Sequence, residues 1–182
     1  METMESYVQP KKKGLLEPIL IFVGVIVLLV YGVITAVSGD PLWFLGGASL
    51  PAPQRIVIRV DGEETVLTAN SPGYEIMVKA TKKGLSSFLN SAPVPLGLSD
   101  ETLEDYQHRF TVLELYYGEP VDFHLPFNEG EPTALLIPVE GRHAGKGYVF
   151  RGGNGEWWHR PLQMTDPQPI FDALAALGFS GS

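Results

Sequence analysis

Nineteen consecutive residues from Ile19 to Val37, ILIFVGVIVLLVYGVITAV, carry no charge. At ~1.5 Å per residue a helix of that length is ~28 Å long, close to the ~30 Å hydrocarbon thickness of a bilayer. Leu15 and Leu16 extend the run past Glu17 and Pro18. Those two fit a first helical turn, where proline lacks only an N–H that has no partner and an acid meets the positive end of the helix dipole. The pattern predicts a membrane-spanning helix over 15–38, preceded by a short tail 1–14 and followed by an interfacial segment and linker, 39–54.

Lys11, Lys12 and Lys13 stand just before the run, and the next basic residue is Arg55. The positive-inside rule therefore keeps the lysines at the cytoplasmic interface of the cell membrane and exports the C-terminal bulk. Ala36, Val37 and Ser38 loosely match a signal-peptidase site, but a cleavable leader has an apolar core of only ~7–15 residues, so the segment is expected to stay as an anchor. Trp43 and Phe44 suit the outer interfacial belt, with Asp40 and Pro41 capping a short turn between. Gly32 and Ala36 form a small-xxx-small pair that lets another helix approach closely. Lys12-Lys13-Gly14 resembles a type IV pilin leader, but Leu15 stands where those leaders have an aromatic, and Glu17 is third after the glycine rather than fifth.

Charge excludes one class of partner. The net charge is −8, and residues 1–37 hold three lysines and three glutamates, so the whole excess belongs to the exported part. An acidic chain with no long basic segment cannot neutralise a phosphate backbone, and no nucleic-acid partner is expected. With no cysteine in the chain, disulfides, thiolate metal sites and thiol nucleophiles are absent.

GGASLPAPQ, 46–54, reads as a tether, and the folded unit, 55–182, is expected to start near Arg55. Arg55 to Val60 alternates, Asp61-Gly62 supplies a type I′ turn, and Glu63 to Thr68 returns. Asn70-Ser71-Pro72 offers a helix start, followed by a core stripe of Tyr74, Met77, Val78, Thr81, Leu85, Phe88 and Leu89. Ser99 caps a short helix through Tyr106. Strands are predicted at Phe110–Tyr117, Val121–Leu125 and Thr133–Val139, with a hairpin of Gly147–Arg151 and Trp157–Arg160 turning at Gly152-Gly153-Asn154-Gly155. Asp166 and Pro167 open a last helix with Ile170, Phe171, Leu174 and Leu177 on one stripe, and Gly178 ends it. The fold class is α+β: an antiparallel sheet with two main helices on one face.

No catalytic or cofactor motif emerges. Gly141–Gly147 lacks the spacing and the Ser or Thr of a phosphate-binding loop and reads as a hairpin loop, and neither GxGxxG nor GxSxG occurs. His108, His124, His143 and His159 form no HExxH or HxH pair. Three could converge with Glu140 or Asp122 as a fourth ligand, but histidines scattered this way are ordinarily surface or hydrogen-bonded residues, and no metal is expected. Glu129 and Glu131, and Glu101, Glu104 and Asp105, read as solvated faces, so a glycosidase-like pair is not expected.

Aromatics remain. Adjacent strand residues point to opposite faces, so of Trp157 and Trp158, and of Tyr116 and Tyr117, one each should face outward. With His159 and Arg160 they are the candidate interaction residues, since Trp, Tyr and Arg dominate interfaces. The expected function is that of a noncatalytic, membrane-anchored accessory subunit that binds another membrane protein. The alternatives are a ligand- or glycan-binding sensory domain and, third, an envelope hydrolase.

Overall fold

A computed structural model describes residues 16–45, 50–89 and 93–179. Lys11, Lys12 and Lys13, the rest of the tail, and Gly46-Gly47 lie outside the described residues. Helix α1, Leu16–Ser38, is long and apolar enough to cross a membrane. Among its residues only Ser38 is buried, so its apolar side chains are left without protein cover. After it the chain turns back: Tyr31 Oη donates to the Pro41 carbonyl at 3.0 Å, and Trp43–Leu45 form one 3₁₀ turn. The Phe44 ring lies 6.1 Å from both Tyr31 and Trp43.

The remaining elements are β1 (Arg55–Val60), β2 (Glu63–Leu67), α2 (Tyr74–Gly84), α3 (Asp100–His108), β3 (Val112–Tyr116), β4 (Ala134–Pro138), β5 (Tyr148–Gly153), β6 (Glu156–Trp157), β7 (Leu162–Gln163) and α4 (Gln168–Ala176). They give the expected α+β class. The strands form one antiparallel sheet in the order β2-β1-β3-β4-β5-β6, and β7 pairs with β5. The β1–β2 turn is as expected, with Asp61 at φ 48° and Gly62 at φ 82°. At β5 the turn is Asn154-Gly155 alone, at φ 54° and 83°. Gly152 and Gly153 belong to the strand and face Trp157 and Glu156. β6 and β7 share one edge of β5, so Trp158 to Pro161 leave the sheet and the predicted strand to Arg160 ends at Trp157.

Alternation divides the sheet into two faces. Ile56, Ile58, Leu113, Leu115, Leu135, Ile137 and Val149 pack beneath α2 and α4, with Met77, Val78, Ile170 and Leu174. At fully buried positions each such side chain contributes ~1.5–3 kcal/mol, so this layer dominates stability. The two helices meet closely at Gly84, where any Cβ would stand 2.8 Å from Ile170 Cδ1. The opposite face is not bare. Val112, Leu136 and Phe150 pack there with Leu98 and with Tyr106 of α3, whose Ser99 hydroxyl accepts from Thr102 N–H as expected.

Several elements differ from their sequence reading. α2 starts behind Gly73, in the left-handed region at φ 85°, without a side-chain cap, because Ser71 serves the turn by accepting from Thr68 N–H. It stops at Gly84; Phe88 bridges Met164 and Leu89 is exposed. Val121–Leu125 forms no strand of this sheet: Val121 and Phe123 are buried in the core, but His124 at φ 51° breaks the extended run. Residues 50–53 belong to the packed unit, since Leu50 rests on the core and Pro53 accepts from Tyr74 Oη at 2.5 Å. At the last helix Asp166 accepts from Gln168 N–H, Pro167 occupies the cap position, and Gly178 at φ 86° ends the helix as predicted.

Candidate functional site

Register decides where the aromatic residues go. On the face opposite α2 and α4, Tyr116 is the cross-strand neighbour of Arg55 and of Ala134, and Trp157 pairs with Gly152. The Arg55 guanidinium lies 4.1 Å from the centre of the Tyr116 ring, a cation–π stack. The Trp157 ring stands 6.3 Å from Tyr116 at 53°. Gly152 has no side chain because the indole occupies that space, a Cβ there falling 2.6 Å from the ring. α3 covers only the Val112, Leu136 and Phe150 part of this face, leaving Arg55 exposed and Tyr116 and Trp157 half-buried.

A polar ladder continues the patch along β1 and β3. Tyr116 Oη donates to Glu114 Oε2 at 2.7 Å, Arg59 reaches Glu114 at 3.5 Å, and Arg59 also pairs with Glu64. Burial, and then the bond to the Glu114 carboxylate, push the Tyr116 phenol above its ordinary pKa, so it remains a donor. Beside Trp157 a depression lined by Thr133, Asn154 and Glu156 has a volume of about 110 Å³.

The other four candidates lie elsewhere. Tyr117 is buried in the core beneath the helices. Trp158 packs over Gly130, where a Cβ would sit 2.8 Å from its ring. His159 is exposed, and its Nδ1 accepts from Leu98 N–H at 3.1 Å. Arg160 is exposed, at φ 67°, with its carbonyl held by Arg151 Nη2 at 2.8 Å. The structure thus joins Tyr116 to Trp157, adds Arg55, and separates the rest. Arg55 was legible only once the β1–β3 register was known. Gly32 and Ala36 are exposed on α1, with open space beside Gly32.

A second cluster forms where α1 meets the domain. Asp40 Oδ2 lies 2.9 Å from His124 Nδ1, and Asp122 Oδ1 lies 3.3 Å from the same nitrogen. His124 N–H also donates to Asp122 Oδ1 at 2.8 Å, which holds the left-handed residue and aims its ring at Asp40. The adjoining cleft, about 500 Å³, is lined by Ser38, Asp40, Asp122, Glu129 and Glu131 among others. Glu129, expected on a solvated face, is only 8% exposed. Its Oε1 accepts from Phe123 N–H at 2.9 Å, and its Oε2 has no hydrogen-bond partner. Burial, reinforced by the neighbouring Asp122 carboxylate, pushes it up to about 8. Behind it Arg151 Nη1 donates to the Glu129 carbonyl at 2.6 Å. Sequence spacing offered Asp122 as a ligand beside the histidines but carried no signal for Asp40, which is 84 residues from His124.

The remaining histidines stay apart. His143 is buried under α3, with Nδ1 2.8 Å from Tyr106 Oη, and its glycine-rich segment joins β4 to β5 as a loop. No protein-family model matches the chain, and no curated protein or solved structure shows significant similarity to it.

Proposed function

We propose that this protein is a single-pass, membrane-anchored and noncatalytic interaction subunit, held by α1 with its N-terminus cytoplasmic and its domain extracytoplasmic. The domain meets another membrane protein through the Arg55, Tyr116 and Trp157 patch, and α1 packs on that partner through Gly32 and Ala36. The observation that carries this reading is the cation–π and aromatic cluster left uncovered on the sheet face. Its residue types are those that anchor protein interfaces. The depression beside it, about 110 Å³, is well below the ~300 Å³ at which pockets begin to enclose small ligands, which favours a protein over a metabolite. The three lysines before α1 support the orientation.

A photo-crosslinking residue at Val66, exposed on the same face, tests it in intact membranes. The expected product is one discrete adduct with another membrane protein, reduced several-fold by Trp157→Ala and by Gly32→Leu while each variant keeps its melting temperature within a few degrees. No adduct, or retention of a glycan by the purified chain with loss of it in Trp157→Ala, would replace the interaction reading with its ligand-binding rival.

A further inference from the structure

We propose that Asp40, Asp122 and His124, with Glu129 lining the same cleft behind them, form a binding site for a divalent transition-metal cation, Zn²⁺, which fastens the domain to the exit of the membrane helix. This is independent of the partner contacts above.

The donor set comes first. One imidazole nitrogen with carboxylate oxygens suits a borderline ion such as Zn²⁺, whereas Mg²⁺ and Ca²⁺ take oxygen alone. The His124 nitrogen and one oxygen each from Asp40 and Asp122 all lie within 4.8 Å of one another. Ligands bound to Zn²⁺ at ~2.0–2.2 Å in a tetrahedron stand ~3.3–3.6 Å apart. The Asp122 to His124 distance of 3.3 Å already meets that spacing. The Asp40 to His124 distance of 2.9 Å is a direct hydrogen bond, which opens by a few tenths of an ångström as a metal replaces the Nδ1 proton.

Glu129 supplies the second, separate observation. Its carboxylate is more than nine-tenths buried and lines the same cleft. One oxygen is satisfied by Phe123 N–H, while the other is buried without a hydrogen-bond partner, beside the Asp122 carboxyl group. Two carboxyl groups crowded together away from water are costly, and a cation shared between them removes that cost. Among the described residues, no lysine or arginine lies within ion-pair distance of Asp40 or Asp122, whose neighbour at that range is the His124 ring. Arg151, behind Glu129, spends Nη1 and Nη2 on the carbonyls of Glu129 and Arg160. The ligands are also pre-aimed, as metal sites require: Asp122 fixes the His124 backbone, and the Asp40 carboxylate, through its other oxygen, accepts from Leu42 N–H at 2.7 Å.

Because Asp40 follows α1 directly while Asp122, His124 and Glu129 belong to the β3–β4 connection, an ion here ties membrane helix to domain. The full-length chain, purified in detergent and stripped with chelator, should take up one Zn²⁺ per chain by elemental analysis and melt at a higher temperature. Asp122→Asn and Glu129→Gln should each weaken Zn²⁺ binding at least tenfold. Absence of stoichiometric Zn²⁺ in the wild-type protein, or unchanged affinity in both variants, overturns the site. If the variants do not fold, X-ray absorption of the wild-type Zn²⁺ complex decides. A nitrogen and oxygen shell with a single imidazole supports the site, and two or more imidazoles place the ion on other histidines and refute it.

Discussion

His143 shows how one residue's surroundings set a measurable property. Its ring is 3% exposed, wedged between Tyr106, Tyr148 and Phe150. Burial, helped by the charges of Arg142 and Lys146, lowers its pKa below 6.5. In the unfolded chain the ring takes up its proton near 6.5, whereas the folded ring stays neutral to lower pH, so over that interval the unfolded state binds more protons. Stability is therefore full above about pH 6.5 and is lost as pH falls toward the folded value. His143→Gln should lower the melting temperature at neutral pH by removing ring contacts, yet flatten its decline between about pH 7.5 and about pH 5. Equal declines in variant and wild type would mean that His143 is not the group responsible. Burial of this histidine was beyond the sequence, because the loop that carries it is rich in glycine and flanked by charges.

At the scale of elements, helix α2 supplies a test in which propensity and packing predict opposite signs. Gly84 ends α2 without a positive φ, so alanine there should gain up to about 1 kcal/mol from helix propensity alone. Its Cβ, however, would fall 2.8 Å from Ile170 Cδ1 and 2.9 Å from Ile170 Cγ1. Overpacking of this kind costs about 1–3 kcal/mol. Gly84→Ala should therefore lower the denaturant midpoint, and Gly84→Ala with Ile170→Val should recover much of the loss; a stabilised single variant would show that α4 yields freely. The legible elements were those whose signals are local: Asp61-Gly62 needs only two residues that tolerate positive φ, Ser99 needs only the N–H three residues on, and Gly178 needs only the last helical turn. Val121–Leu125 alternates like a strand and buries Val121 and Phe123 as a strand would. What it lacks is a continuous ladder: Asp122 alone forms a bridge, and His124 turns the backbone toward Asp40 instead. β7 went unread for the converse reason, since two residues give no periodicity and pairing alone defines them.

For the molecule as a whole, the proposed orientation can be tested by labelling, because the chain contains no cysteine to compete. Single cysteines at Glu5 and at the exposed Glu63 report the two sides. With any outer layers opened and the inner membrane sealed, a membrane-impermeant maleimide should modify Glu63→Cys at once and Glu5→Cys only after permeabilisation. The reverse pattern would invert the topology, and recovery of a chain beginning near Gly39 would replace the anchor with a cleaved leader.

The sequence by itself determined α1, the acidic balance, the first hairpin, the last helix and the α+β class. Each of these follows from residues close together in the chain: an uncharged run, a turn dipeptide, a 3.6-residue period, a terminal glycine. Tertiary structure alone decided which aromatics share a face and which carboxylates share a cleft. Tyr116 meets Trp157 because β3, β4, β5 and β6 lie side by side in register, and Asp40 meets His124 because the chain returns to the end of α1 after 84 residues. A pattern in the chain reports which side of its own element a residue occupies. Only packing reports what stands opposite it, and both candidate sites are made of residues standing opposite one another.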